Sequence, residues 1–200
     1  HACLEQAVAS SFNAITVYGD TSINDACVLI ASANSDCAPI TSAESQPYLA
    51  LCTAVREVCM TLAKAIVRDG EGATKLVEVR VEGGVSHQEA SAVAYAVAQS
   101  PLVKTALFAG DPNWGRILAA VGRAGVQNLA IAGVGIWLDD VCIVRNGGRA
   151  ADYSEQAGQR VMQQAEFLIR IVLGRGAADA RVLTCDLSYD YVRINAEYRT

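Results

Sequence analysis

The chain contains 200 residues, of which 52% are hydrophobic and 18% are charged, and its formal net charge is −5. This composition excludes a disordered chain and predicts a single globular domain spanning residues 1–200. Charged residues or glycines interrupt the apolar runs well before they reach about 18 residues, so no membrane-spanning segment is expected. The acidic balance argues against nucleic acid as a partner, because nucleic-acid-binding proteins normally present a basic face.

The seven cysteines favour a reducing compartment, and the expected location is the cytoplasm. Their number is odd, and the two closest in sequence, Cys52 and Cys59, are predicted to lie roughly 10 Å apart along one helix, too far for a disulfide. The only histidines are His1 and His87. With so few imidazoles, a histidine-based zinc site or a Ser-His-Asp triad is not expected, and no metal ligands are predicted.

The first half of the chain is predicted from hydrophobic periodicity. An apolar stripe over residues 2–12 predicts a helix without a preceding cap, so the chain is expected to be cut from a longer polypeptide. Strands are predicted at Ala14–Val17 and Cys27–Ala31, on either side of a polar loop. Apolar residues at every third or fourth position predict a long helix over Tyr48–Arg68, and the alternation in Lys75–Val81 predicts a strand with one face open to solvent.

The second half is predicted from caps, turn residues and helix breakers. Ser86 and Glu89 form a capping box, and Asp111-Pro112 is typical of a helix start. In order, the elements are a helix from Ser86 to Ser100, a helix from Asp111 to Gly125, a hairpin of Val134–Leu138 with Val141–Val144, a helix over Ser154–Gln164, a hairpin of Phe167–Leu173 with Ala180–Leu187, and a strand at Tyr191–Ile194. The mixture predicts an α/β (α+β) fold, in which mixed β-sheets and flanking helices form a layered sandwich.

Several polar segments are candidate sites, and each has a structural alternative. Gly70–Lys75 is not a phosphate loop, because it follows a helix and precedes a strand. It is either a helix end with a turn or a loop that presents Glu71 to a substrate ammonium or to proton transfer. The polar residues 195–200 are typical of a frayed terminus. Three charged residues near the predicted helix start at 111 are expected to form salt bridges within or between subunits, namely Lys104, Asp111 and Arg116.

Together these loops resemble the ornithine acetyltransferase family, the bifunctional glutamate N-acetyltransferases of arginine biosynthesis. The resemblance rests on six segments in the family's order: Gly19-Asp20-Thr21-Ser22, Arg68 through Lys75, Ser100-Pro101-Leu102-Val103-Lys104-Thr105-Ala106, Asp111-Pro112-Asn113-Trp114-Gly115-Arg116-Ile117-Leu118-Ala119-Ala120, Thr184-Cys185-Asp186-Leu187-Ser188, and Tyr191 through Thr200. These segments span almost the whole chain, and the Asp-Pro-Asn-Trp-Gly-Arg block is long enough to be specific.

The resemblance implies the β subunit of an enzyme that cleaves its own precursor, with a fold of the self-processing acetyltransferase and aminopeptidase type. In the family, the cut exposes an N-terminal threonine, whose own amine can act as the base. Here that threonine is expected upstream of His1, so no catalytic residue is assigned in this chain, and the chain alone is expected to be inactive. The implied partner is an α chain from the same precursor, which supplies the oxyanion hole, in an α2β2 heterotetramer.

The resemblance also implies three substrate-binding residues, Glu71, Asn195 and Thr200. A carboxylate can hold a substrate ammonium, whereas an amide and a hydroxyl can hold a carboxylate, so these residues suit N-acetylornithine and glutamate. Two residues depart from the family pattern: Ile23 stands where a threonine is usual, and Tyr18 replaces a common acidic residue.

Two other functions remain open at this point. One is a related self-processing aminopeptidase or amidase, in which water replaces glutamate as the acceptor. The other is a non-catalytic scaffold that binds amino acids. No bound cofactor is expected, and the sequence leaves open whether acetyl-CoA serves as a second acetyl donor.

Overall fold

The computed structural model describes residues 1–21 and 23–198, and within them six strands form one mixed sheet. In chain order they are β1 (Leu76–Gly84), β2 (Gly135–Leu138), β3 (Val141–Arg145), β4 (Gly148–Arg149), β5 (Glu166–Val172) and β6 (Ala178–Cys185). Their order across the sheet is β4-β3-β2-β5-β1-β6. Strand β1 runs parallel to β5 and antiparallel to β6, which is an edge strand.

Seven α-helices occur in the described part of the chain. They are α1 (Ala2–Ala9), α2 (Gln46–Arg68), α3 (His87–Ala98), α4 (Pro101–Ala109), α5 (Trp114–Gly122), α6 (Glu155–Met162) and α7 (Tyr189–Glu197). Four of them begin at a side chain that accepts a hydrogen bond from a first-turn amide, namely Ser45, Ser86, Asn113 and Ser154. Local chemistry therefore sets where these helices start.

The main core lies between one face of the sheet and the helices α3 to α6. Val77, Val79 and Val81 of β1 are completely buried on this face, together with Ile169 and Ile171 of β5. Glu78, Arg80 and Glu82 alternate with the buried valines and point to the opposite face, which is partly exposed. The strand with one open face, predicted from the alternation, is confirmed.

The helix α2 packs on α1 and on the end of the sheet, away from the main core. Cys3 and Ala7 of α1 pack on Val55 and Cys59. Nearer its end, Val67 joins a small cluster with residues of β1 and β6. Five further apolar side chains of α2 are 42–59% exposed, and four of them are Leu51, Val58, Leu62 and Ile66. The spacing of seven and four residues places these four side chains on one stripe of the helix, here called the α2 apolar stripe, whereas Leu49, the fifth, lies outside it.

Most predicted elements are present, but two predicted strands near the N-terminus are wrong. Ala14–Val17 contains the end of a short 3₁₀ turn and a single bridge from Ile15 to Leu183. Cys27–Ala31 is irregular and exposed, with Ile30 81% accessible. An apolar run forms a strand only where a neighbouring strand pairs with it, and none of the described strands lies beside this segment.

The second predicted hairpin is also wrong. Strands β5 and β6 are consecutive in sequence but do not pair, because β1 inserts between them. Val79 lies opposite Ile169 on one side and Val182 on the other. Strand β1 therefore has a hydrogen-bonded neighbour on each side, which would not be possible if β5 and β6 paired with each other as a hairpin.

Three further corrections concern helices. Tyr191–Ile194 is part of α7 rather than a strand, and Asp190 in its first turn favours a helix start. Pro101 ends one helix as predicted, but it also stands in the first turn of α4, which the sequence reasoning missed. The cap of α5 is Asn113 rather than Asp111, since the Asn113 side chain accepts from the Arg116 amide at 3.1 Å.

All seven cysteines are free thiols in the structure. No single helix in the described part of the chain is long and apolar enough to cross a membrane. Helices α3 and α4 meet the criterion of length and composition only when taken together as a pair bent by 56°.

Candidate substrate site

The loop Gly70–Lys75 connects the end of α2 to β1 and presents Glu71 to solvent. Helix α2 ends at Arg68, and the Asp69 amide donates to the Ala65 carbonyl at 3.0 Å. The interpretation of this segment as a helix end with a turn is therefore confirmed. It does not conflict with the second interpretation, because the same turn leaves the Glu71 carboxylate exposed.

Gly72 fixes the position of this loop against the start of α7. Its φ of +70° is in the left-handed region, and an added Cβ would lie 2.6 Å from Ser188 Oγ and 2.9 Å from the Tyr191 amide nitrogen. The Ser188 hydroxyl donates to the Gly72 carbonyl at 2.7 Å. Glycine is required here for two reasons: it adopts a positive φ without strain, and it has no Cβ to overlap the start of α7.

Replacing Gly72 with alanine is expected to destabilise the loop, because the new methyl group is strained at positive φ and overlaps the backbone of α7. We expect a loss of about 1–3 kcal/mol in the free energy of unfolding, measured by urea denaturation. Gly122→Ala is the matched control, since nothing lies within 4 Å of an added Cβ there and its φ is not positive. Equal stabilities of the two variants would contradict the prediction.

The buried carboxylate of Asp186 holds the other end of the loop. It accepts hydrogen bonds from the Thr74 amide at 2.8 Å, the Thr74 hydroxyl at 2.6 Å and the Lys75 amide at 2.9 Å. Asp186 is completely buried and follows directly after β6. The loop that presents Glu71 is therefore anchored by Asp186 at its far end and by Ser188 at Gly72.

Lys104 reaches from α4 to the same segment and is 2% exposed. Its ammonium donates to Thr184 Oγ1 at 3.0 Å and to the Cys185 carbonyl, and the Lys104 carbonyl accepts from the Leu187 amide at 3.1 Å. Burial lowers the pKa of Lys104, and burial raises the pKa of the neighbouring Cys185 thiol. The charge of Asp186 opposes the effect of burial on the lysine.

None of the side chains of Lys104, Asp111 and Arg116 forms an ion pair within the described part of the chain, so salt bridges within the subunit are not found. Salt bridges of these residues to another subunit stay a prediction. Asp111 accepts from the Asn113 side chain at 2.9 Å, and Arg116 donates to the Leu102 carbonyl at 2.9 Å. Arg116 thus links α5 to the first turn of α4, and Asp111 supports the cap residue of α5.

Asn195 lies on the exposed side of α7, and its Nδ2 donates to the Tyr191 carbonyl at 3.0 Å. Tyr191 also contacts the loop, because its amide lies beside Gly72. Glu71 and Asn195 are thus carried by two elements that pack directly on each other.

The third predicted substrate-binding residue, Thr200, lies outside the described residues. Ile23 is 93% exposed.

Sequence reasoning missed the contributions of Asp186, Ser188 and Lys104. All three lie in segments that carry the family resemblance, but no local pattern assigns them a partner. The signal that could have found two of them is a pair of polar residues, Asp186 and Ser188, directly after a strand of the core, where a buried polar side chain needs a hydrogen-bond partner.

The structure is an α/β domain built on one mixed sheet, which confirms the predicted fold class, and this architecture has close counterparts. The crystal structure of arginine biosynthesis bifunctional protein ArgJ from Bacillus halodurans matches with a TM-score of 0.91 and 37% identity, over 98% of this chain and 92% of that chain. The ArgJ family model matches residues 1–200. The chain therefore belongs to the ArgJ family, as the sequence motifs predicted.

Curated relatives support the same family assignment. The arginine biosynthesis bifunctional protein ArgJ of Pseudomonas fluorescens is 58% identical over 190 residues, which is 95% of this chain and 47% of that protein. The protein of the same description from Methylococcus capsulatus is 59% identical over 197 residues, which is 98% of this chain and 48% of that protein. The chain spans about half the length of these relatives.

Proposed function

We propose that the chain is the β part of a glutamate N-acetyltransferase that moves an acetyl group from N-acetylornithine to glutamate. Membership of the ArgJ family, whose matched relatives are described as bifunctional proteins of arginine biosynthesis, supports this proposal. The structural observation that supports it best is the exposed Glu71 carboxylate on a loop that Ser188 anchors at Gly72 and Asp186 anchors at Thr74 and Lys75. A carboxylate on an anchored loop can select the free δ-ammonium of N-acetylornithine.

The nucleophile of the proposed reaction is a threonine outside these 200 residues, expected upstream of His1. Its hydroxyl oxygen attacks the acetyl carbonyl and its α-amine takes the hydroxyl proton. The bond between the acetyl carbon and the ornithine α-nitrogen then breaks, and ornithine leaves with that proton on its α-nitrogen. The glutamate amine then attacks the acetyl-threonine ester and restores the hydroxyl. The residues of this chain bind and orient the two amino acids. Glu71 binds the ammonium, and Asn195 and Thr200 bind the carboxylate.

A second chain, the α part of the same precursor, belongs to this proposal. The curated relatives are about twice as long as this chain, whereas the match covers 92% of the solved Bacillus halodurans chain, so that chain is similar in length to this one. Two chains from one precursor would account for both lengths.

The α2 apolar stripe supports a protein partner, because a row of half-exposed leucine, isoleucine and valine side chains is typical of an interface. We propose an α2β2 assembly in the cytoplasm, where seven unpaired cysteines would remain reduced.

Replacing Leu62 in the α2 apolar stripe with aspartate is expected to weaken association of the two chains at least tenfold, because the interface would bury an unpaired charge. Subunit dissociation can be followed by native mass measurement at decreasing protein concentration. Thr61→Asp is the control, since it introduces the same charge about a quarter turn away from the stripe on an exposed position. Equal dissociation of both variants would contradict the prediction.

The reaction itself is tested with the complete gene product that contains these residues, supplied with N-acetylornithine with and without glutamate. Transfer predicts that N-acetylglutamate and ornithine form in equal amounts and that turnover requires glutamate. Acetate formed without glutamate would instead identify an amidase or aminopeptidase, and no turnover would favour a binding scaffold. A separate reaction with acetyl-CoA and glutamate shows whether acetyl-CoA is a second donor.

A further inference from the structure

Tyr18 lies beneath the Glu71 loop and contacts both parts of the candidate site. Its hydroxyl donates to the main-chain carbonyl of Glu71. Its ring lies against the ring of Tyr191 on α7, with centroids 4.0 Å apart and planes tilted by 44°. One side chain therefore touches the loop that presents Glu71 and the helix that carries Asn195.

The segment that carries Tyr18 is itself held firmly. The Thr16 amide donates to the Leu183 carbonyl at 2.9 Å, and the Cys185 thiol lies 3.6 Å from the Val17 carbonyl oxygen. An added Cβ at Gly70 would lie 2.7 Å from Val17 Cγ1, so the loop and this segment are in direct contact. The backbone before Tyr18 is thus held by the edge strand β6, and its side chain contacts the loop.

The ammonium of Lys104 lies 5.2 Å from the centroid of the Tyr18 ring. A cation at this distance from an aromatic face is attracted to it, and this attraction strengthens when both groups are shielded from water. Burial, followed by the nearby Cys185, raises the pKa of the Tyr18 hydroxyl. The hydroxyl therefore stays protonated at neutral pH and can donate to Glu71.

We propose that Tyr18 is a positioning residue, which sets the place of Glu71 relative to α7 and so determines the affinity for the acetyl donor. This inference rests on the proposed function, because the ligand of Glu71 is the ammonium of N-acetylornithine. Tyr18 acts through the Glu71 backbone and the Tyr191 ring and does not itself touch the reacting atoms. Its loss is expected to weaken donor binding and to leave the chemical step unchanged.

The test compares three variants in the complete gene product. Tyr18→Phe removes the hydroxyl but keeps the ring, and it is expected to raise KM for N-acetylornithine roughly 5-fold with kcat within 2-fold of wild type. Tyr18→Leu removes the ring as well, and the expected increase is roughly 20-fold. Tyr95→Phe is the matched control, because the Tyr95 hydroxyl donates to the Asn13 carbonyl at 2.7 Å outside this site, and its KM is expected to be that of wild type.

A second measurement does not depend on activity. The Ala73 amide donates to the Gly70 carbonyl at 2.9 Å within the loop, so its hydrogen exchange reports how well the loop is held. Exchange is expected to be several-fold faster in Tyr18→Phe and unchanged in Tyr95→Phe. Unchanged exchange, or a fall in kcat at constant KM, would overturn the positioning role. Faster exchange in a protein whose wild type transfers no acetyl group would support the anchoring of the loop and refute the proposed function instead.

Discussion

Replacing Glu71 with glutamine is expected to raise KM for N-acetylornithine by about 10- to 100-fold. Glutamine keeps the size of the side chain but loses the negative charge, and a hydrogen bond between two charged groups contributes roughly 1.5–3 kcal/mol. Glu71 is exposed and its side chain is not required by the packing of the loop, so the fold is expected to be unaffected. The measurement is steady-state kinetics at saturating glutamate, with a thermal melt to verify folding.

The matched control is Glu57→Gln, which makes the same chemical change on an exposed position of α2. Its kinetics are expected to equal those of wild type. An unchanged KM in Glu71→Gln would refute the assignment of the carboxylate to the substrate ammonium. A large fall in kcat with unchanged KM would instead assign Glu71 to proton transfer, the alternative that the sequence left open.

Replacing Asp186 with alanine is expected to lower the free energy of unfolding by about 3 kcal/mol. The change removes three hydrogen bonds to a buried carboxylate and leaves the Thr74 and Lys75 amides without their acceptor. It also removes the negative charge of Asp186, which favours the charged form of Lys104 against the effect of burial. Urea denaturation of wild type and variant measures the difference.

Asparagine at the same position is expected to cost much less, about 1 kcal/mol. Its amide oxygen can still accept from both backbone amides, and its amide nitrogen can donate to the Thr74 hydroxyl. Asp25→Ala, in the exposed N-terminal loop, serves as a control and is expected to change stability by less than about 0.5 kcal/mol. If the alanine and asparagine variants at 186 were equally stable, the hydrogen bonds of Asp186 could not be what anchors the loop.

The prediction of the site from sequence depended on family motifs rather than on local patterns. From its own sequence, the segment Gly70–Lys75 is predicted to be the end of a helix followed by a turn, and the backbone of the structure confirms this. The resemblance added Glu71 and Asn195 as substrate-binding residues, which remains a prediction to be tested. The structure adds that these two residues are carried by elements in direct contact, through Gly72 and Tyr191.

The sequence alone determined the features that depend on nearby residues. The helix capped by Ser86, the alternating strand β1 and the hairpin of β2 with β3 were all predictable, because a cap or a turn is completed within a few residues. The family could be recognised for a similar reason, since its motifs are contiguous.

Only the tertiary structure decided which distant segments meet. The insertion of β1 between β5 and β6 could not be predicted, because a strand carries no local sign of which neighbour will pair with it. The Asp186 carboxylate reaches Thr74 across 112 residues, and Lys104 reaches Thr184 across 80. A buried charged side chain is stable only when it forms hydrogen bonds, and its partners can lie far away in the sequence. The tertiary fold, rather than the local sequence, therefore determines the position of the loop that presents Glu71.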